Sequence, residues 1–208
     1  MRRYKAIIYD IDGTLLNTVD QNMYTLIRII KEELGEDWTF EQVVPFTAYP
    51  GLKIIEKLGI RDVEGVYARW VRYVNEYDKG AEPYEGIPEL LEGAKELGIR
   101  QAIVSSKRRR QYGIDMGRLG YDKRMDAAVL CEDTEHHKPH PEPMLECLRL
   151  LGVEAKDALY LGDARTDMEA ARAAGMDFAY ASWGSFFPME RSEPDYYLDH
   201  PTDLIEYL

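Results

Sequence analysis

Cysteine is almost missing from this chain: Cys131 and Cys147 are the only two in 208 residues, far apart and without C-x-x-C spacing. That argues against a disulfide framework and a thiolate zinc site. Two reduced thiols, as in a cytosolic protein, are expected instead. Long apolar runs are also lacking, and no stretch approaches the roughly 20 residues of a membrane span. The opening M-R-R-Y-K, followed by only a few apolar residues, is too short for a signal peptide, so the cytoplasm is the expected compartment. Basic residues are outnumbered, 26 Lys and Arg against 38 Asp and Glu, for a net charge of −12. Nucleic acid and anionic membrane surfaces are thereby disfavoured as partners, because both are bound through basic patches. Neither G-x-x-x-x-G-K-[ST] nor G-x-G-x-x-G occurs, so no nucleotide cradle is indicated. No G-x-S-x-G elbow surrounds a serine, which removes the serine-hydrolase reading.

What the chain does have is the stretch Tyr4–Leu16, Y-K-A-I-I-Y-D-I-D-G-T-L-L. The unbroken apolar run Ala6–Tyr9 predicts a strand buried on both faces. It ends at Asp10 and Asp12, and Gly13 turns the chain. Ligands bind at the carboxyl ends of parallel strands in open α/β sheets, so both aspartates are expected at the mouth of such a sheet. Carboxylates this close repel unless a cation lies between them or one keeps its proton.

The next convincing strand is Ala102–Ser105, and what lies between reads as helix. Met23, Leu26, Ile27, Ile30 and Leu34 recur at helical spacing and stop at Gly35. Thr39 to Gln42 offers a capping box for a short helix. Leu52, Ile54, Ile55 and Leu58 make another, closed by Gly59. Val63, Val66, Tyr67, Trp70, Val71 and Val74 form the clearest stripe, expected as core. Several helices exceed one crossover, so residues 17–80 are expected to form an inserted all-helical domain, with 1–16 and 81–208 as the main one. From Ala81 on, strands Ala102–Ser105, Ala127–Cys131, Ala158–Gly162 and Phe178–Ala181 alternate with helices, and Tyr196–Leu198 suits a late edge strand. The expected fold class is α/β: a Rossmann-like three-layer core with a parallel sheet, plus the helical insert.

Three further polar clusters fall at or beyond strand ends: Ser105-Ser106-Lys107, Lys138-Pro139, and G-D-A-R-T-D at Gly162–Asp167. Strand ends of one sheet converge, so these can meet Asp10 and Asp12. Carboxylates in such number suit a hard cation, most simply Mg²⁺. Serine and lysine suit a bound phosphoryl group.

The set D-I-D-G-T at Asp10–Thr14, A-I-V-S at Ala102–Ser105, Lys138 in K-P-H-P-E-P and G-D-A-R-T-D, in that order, resembles the haloacid dehalogenase superfamily in its helical-cap phosphatase branch. The resemblance spans essentially the whole chain. It implies that Asp10 is the nucleophile, that Asp12 is the general acid and base, and that Lys138 neutralises charge. It also implies that Ser105 binds the phosphoryl group, with Ser106 and Lys107 beside it. Asp10, the Asp12 backbone carbonyl, Asp163 and Asp167 would surround Mg²⁺, Asp167 either directly or through water and Lys138. The resemblance further implies that Asp12 favours phosphoryl transfer from oxygen over dehalogenation. Asn17 and Ser106 depart from the commonest pattern.

The resemblance implies hydrolysis of a small phosphorylated metabolite, with phosphoglycolate phosphatase-like enzymes the nearest group. Inorganic pyrophosphatase is a neighbouring reading, a phosphomutase of the β-phosphoglucomutase type a rival, and an idle binding module a third class. In the insert, Tyr49 and Lys53 flank a turn, Tyr49–Lys53, that could meet substrate on closure; an ordinary surface turn explains it equally well. His136, His137 and His140 are expected as solvated loop residues, because Pro139 and Pro141 prevent a metal-binding helix face. Arg108, Arg109 and Arg110 read as a solvated helix start.

Overall fold

Four consecutive fully buried residues, Ala6–Tyr9, form β1, the strand on which the sheet is centred. The computed structural model describes residues 4–49, 51–77 and 80–208, so Pro50 of the Tyr49–Lys53 turn lies outside the described residues. The other strands of this sheet are β2 (Arg100–Val104), β3 (Ala127–Val129), β4 (Ala158–Gly162), β5 (Asp177–Ala181) and β6 (Tyr196–Leu198). Their order is β3-β2-β1-β4-β5-β6, and every neighbouring pair is parallel. The chain thus builds outward from β1 on one side and then returns to build on the other. Such a reversal opens a crevice at the carboxyl ends of the two central strands. Register keeps those ends level: Tyr9 lies opposite Ile103 of β2 and Leu161 of β4.

The chain divides into two compact units, Met1–Asn17 with Pro83–Leu208, and Thr18–Glu82. The second holds α1 (Val19–Leu34), α2 (Phe40–Val43), α3 (Gly51–Lys57) and α4 (Val63–Asn75). Its core joins Leu26, Ile29 and Ile30 of α1, Ile54 and Ile55 of α3, and Val66 and Trp70 of α4. Trp70 is buried, as its stripe predicts, and its indole N–H donates to Thr25 Oγ1 at 3.0 Å. At the start of α2, Thr39 N–H donates to Gln42 Oε1 at 2.8 Å, one half of the expected capping box.

The first unit holds α5 (Ile87–Glu96), α6 (Arg109–Leu119), α7 (Glu142–Leu151) and α8 (Arg165–Ala173). Side chains alternate across the sheet. Ile8, Ala102, Tyr160 and Phe178 meet Met144, Cys147 and Leu148 of α7 and Met168, Ala170 and Ala171 of α8. On the opposite face, Gln101 donates to Leu91 O of α5 at 2.9 Å and accepts from Tyr9 OH at 2.9 Å. This buried pair satisfies polar groups that would otherwise be stranded.

Two strand ends differ from expectation. Cys131 is not in β3, because Asp133 Oδ2 accepts from Leu130 N–H at 2.9 Å and Cys131–Asp133 winds into a short 3₁₀ turn. Ser105 falls one residue beyond β2, although its N–H still reaches Val129 O at 3.1 Å. Apolar composition marks where a strand is buried, not where a side chain diverts its ladder. Among the described residues no helix is long and apolar enough to cross a membrane.

β1 is enclosed on both faces, so removing bulk there leaves a cavity that its neighbours cannot fill. Ile8→Ala is expected to lower stability by about 3 kcal/mol, read as a shift in the urea midpoint at unchanged slope. A loss of about 1 kcal/mol or less would show that β1 is not the centre of the core.

Candidate active site

Asp10 is the first residue past β1, and its N–H extends the ladder by one step to Leu161 O at 2.9 Å. The chain then turns tightly: Leu15 and Leu16 N–H both donate to Ile11 O, and Gly13 N–H donates to Leu16 O. Gly13 has φ +79°, and a Cβ there would fall 2.4 Å from Asp163 Oδ2. Backbone handedness and space therefore both demand glycine. Thr14 is fully buried and its hydroxyl donates to Asp163 Oδ1 at 3.0 Å. A second loop seals the turn from above. Trp183 Nε1–H donates to Thr14 O at 2.9 Å, and a Cβ on Gly184 would overlap Gly13 O at 1.7 Å.

Asp163 follows β4 directly, and Asp167 sits in the first turn of α8. Asp167 Oδ2 accepts from Ala164 N–H at 3.1 Å, capping the helix where negative charge is favoured. Its other oxygen accepts from Lys138 Nζ at 2.6 Å. Lys138 also stands 3.2 Å from Asp10 Oδ1 and donates to Tyr160 OH at 3.2 Å, while that hydroxyl donates to Val104 O. Gly162 leaves the space this needs, since a Cβ there would lie 2.5 Å from Asp167 Oδ2.

Asp10, Asp163 and Asp167 each present a carboxylate oxygen, all within 4.8 Å of one another. Among the described residues, only the Lys138 ammonium forms an ion pair with them, at Asp10 and Asp167. Burial pushes the Asp10 carboxyl up to about 6; Asp167 and Asp12 act in the same sense, against the pull of Lys138. Burial likewise raises Asp163, with Asp167 and Asp10 adding to it. For Lys138 burial acts downward, but Asp10 and Asp167 outweigh it and hold the ammonium above its ordinary value. Asp10 Oδ1 is buried and accepts no aligned hydrogen bond, with Lys138 beside it only as an ion pair. Oxygen donors alone, surplus negative charge and an unsatisfied carboxylate oxygen fit a hard divalent cation.

The Asp12 carboxylate is outside this group. Its side chain is 41% exposed and its Oδ1 lies 2.9 Å from Lys107 Nζ. Asp10 and Asp12 thus each face a different lysine, Lys138 and Lys107. Burial acts downward on Lys107, but Asp12 and Asp115 outweigh it and keep the ammonium charged. Ser105 is buried at the end of β2, its Oγ accepting from Lys107 N–H at 3.3 Å, and Ser106 is exposed beside it. The strand ends therefore gather Asp10, Asp12, Ser105, Lys107, Lys138, Asp163 and Asp167.

Tyr49 and Lys53 belong to the second unit. The Lys57 ammonium lies 4.3 Å from the centre of the half-exposed Tyr49 ring, and Lys53 pairs with Glu56 at 2.7 Å. The loop histidines are exposed as expected, but His136 and His140 stack with centroids 4.4 Å apart, beside Glu142. Their polar atoms are bonded to one another at the start of α7: Glu142 accepts from Glu135 and His136 N–H, and His140 Nδ1 accepts from Glu142 N–H. Thr14, Tyr160 and Asp115 escaped the sequence reading. Thr14 stood inside the quoted motif without a role, Tyr160 looks like any apolar strand residue, and nothing marks Asp115.

A family model described as haloacid dehalogenase-like hydrolase matches residues 7–181. A Caldanaerobacter subterraneus subsp. tengcongensis protein named provisionally as pyrophosphatase PpaX is 31% identical over 98% of this chain and 94% of its own. The Bacillus cereus pyrophosphatase PpaX is 29% identical over 99% of this chain and 97% of its own. A Lactobacillus plantarum crystal structure, described provisionally as a phosphoglycolate phosphatase, superposes with a TM-score of 0.85 at 26% identity, covering 100% of both chains.

The raised carboxyls set the sign of a pH effect. Near pH 6 the metal-free site retains protons that an incoming divalent cation must expel, whereas at higher pH fewer remain. Affinity for Mg²⁺ is expected to rise between about pH 5.5 and about pH 8, with proton release largest at the acid end. Titration calorimetry in buffers of different ionisation enthalpy measures this directly. A pH-independent affinity without proton release would contradict the arrangement.

Proposed function

The chain belongs to the haloacid dehalogenase-like hydrolase family, and we propose that it is a Mg²⁺-dependent phosphatase acting through an aspartyl phosphate on Asp10. The observation that carries this reading is the convergence of Asp10, Asp163, Asp167 and Lys138 at the ends of β1 and β4. Asp10, Asp163 and Asp167 would hold the ion, together with the Asp12 backbone carbonyl. When bound, Mg²⁺ supplies positive charge that offsets repulsion between the carboxylate and the phosphoryl anion.

Asp10 Oδ attacks phosphorus, forming an O–P bond as the bond to the leaving oxygen breaks. Asp12 gives that oxygen its proton, then takes a proton from water, which attacks phosphorus and frees Asp10. Lys138 stabilises charge on the Asp10 side throughout. Ser105 orients the phosphoryl oxygens. Lys107 steadies Asp12 and lines the same region.

The proposed partner is a small phosphorylated metabolite in the cytoplasm, of the phosphoglycolate type, rather than nucleic acid or a membrane. The acidic balance of the chain supports this. A second reading, inorganic pyrophosphate, is favoured by the two relatives named PpaX, which match this chain over nearly its whole length. Both substrates need the same phosphoryl chemistry and differ only in the leaving group.

Purified protein is expected to hydrolyse p-nitrophenyl phosphate only with Mg²⁺ present, and Asp10→Asn is expected to lower kcat by at least about 1,000-fold. Comparing kcat/KM for 2-phosphoglycolate and pyrophosphate separates the two substrate readings. Turnover surviving in Asp10→Asn would rule out the mechanism.

A further inference from the structure

Helix α6 buries only two of its residues, Met116 and Asp115, and the second is a carboxylate where an apolar side chain would be expected. Neither of its oxygens is idle. Oδ1 accepts from Gln111 Nε2 at 3.0 Å, one turn earlier, and Oδ2 accepts from Lys107 Nζ at 2.7 Å. The Lys107 ammonium then stands 2.9 Å from Asp12 Oδ1. The side chains of Lys107 and Asp115 are 7% and 4% exposed, while that of Asp12 opens to the crevice at 41%. The main chain of Lys107 is tied on both sides, its N–H to Ser105 Oγ and its carbonyl to Cys131 N–H. Asp12 Oδ1 is buried yet accepts no aligned hydrogen bond, so the ammonium is its principal restraint.

We propose that Asp115 is a positioning residue for the hydrolysis: through Lys107 it fixes where the Asp12 carboxyl stands for proton transfer to the leaving group. A lysine carries several rotatable bonds, and one carboxylate partner would let its ammonium swing with Asp12. A second carboxylate, anchored on a helix and braced by Gln111, fixes the ammonium independently of Asp12. Asp12 then moves against a fixed charge. Proton transfer is sensitive to such placement, because its geometry must hold to a few tenths of an ångström. A buried ion pair serving stability alone would need no partner on the open side of the crevice.

This inference rests on the reading of Asp12 as general acid, and the test separates the two. Phenyl phosphate needs its leaving oxygen protonated far more than p-nitrophenyl phosphate does. Asp115→Ala, and the near-isosteric Asp115→Asn in case the alanine variant folds poorly, are assayed on both substrates with Mg²⁺. The expected result is a loss of kcat/KM, which reports the steps up to leaving-group departure and not the shared hydrolysis of the aspartyl phosphate, about tenfold greater on phenyl phosphate. In a double-mutant cycle, Lys107→Met with Asp115→Ala should lose no more than Lys107→Met alone. Equal losses on the two substrates, or additive losses in the cycle, would overturn the proposal. Asp12→Asn is the control. If it shows the leaving-group dependence and the Asp115 variants do not, the positioning role alone is wrong. If Asp12→Asn lacks that dependence, the general-acid reading fails and the positioning role falls with it.

Discussion

The buried ammonium of Lys138 stands among more negative charge than it can balance, and the geometry of the crevice follows from that imbalance. It bonds Asp167, pairs with Asp10 and is held by Tyr160, which is itself anchored on Val104 O. Among the described residues no lysine pairs with Asp163, which accepts from the Thr14 hydroxyl. Removing either side of a buried ion pair leaves an uncompensated charge, which costs about 3–5 kcal/mol. The carboxylates are therefore fixed in place yet underneutralised. That state favours taking up a divalent cation.

Sheet topology makes this concentration of charge possible. β1 lies between β2 and β4, so Asp10, Ser105 and Asp163 each leave the sheet at nearly the same height. The glycines at 13 and 162 then let the carboxylates close on one another, since a Cβ at either would strike Asp163 or Asp167. Asp167 links the two levels of organisation. One oxygen starts α8 and the other binds Lys138, so the helix that covers the sheet also orients the site. A second lysine, Lys107, repeats the arrangement at the outer aspartate with Asp115 as its brace.

Much of this was legible in the residues. The run Ala6–Tyr9 announced a doubly buried strand, and the alternation after Ala81 announced a parallel sheet, because burial leaves a direct mark on composition. Asp10, Asp163, Asp167 and Lys138 could be expected together because strand ends of one sheet share a crevice. Three things left no such mark. The end of β3 depended on the Asp133 side chain diverting a backbone N–H, which apolar patterning does not encode. Tyr160 reads as core until its hydroxyl is seen between Lys138 and Val104. Asp115 lies eight residues from Lys107, on a helix whose sequence gives no sign that one carboxylate points inward. Long-range polar contacts are settled by packing, and single residues do not advertise them.

The central claim is that the Asp10 carboxylate becomes phosphorylated during turnover. Enzyme quenched while hydrolysing substrate with Mg²⁺, reduced with borohydride and digested, reports which side chain carried an acyl phosphate. The account predicts conversion of residue 10 to homoserine, dependent on both substrate and Mg²⁺. Unmodified Asp10 in enzyme that is turning over, or the label on another carboxylate, would contradict it.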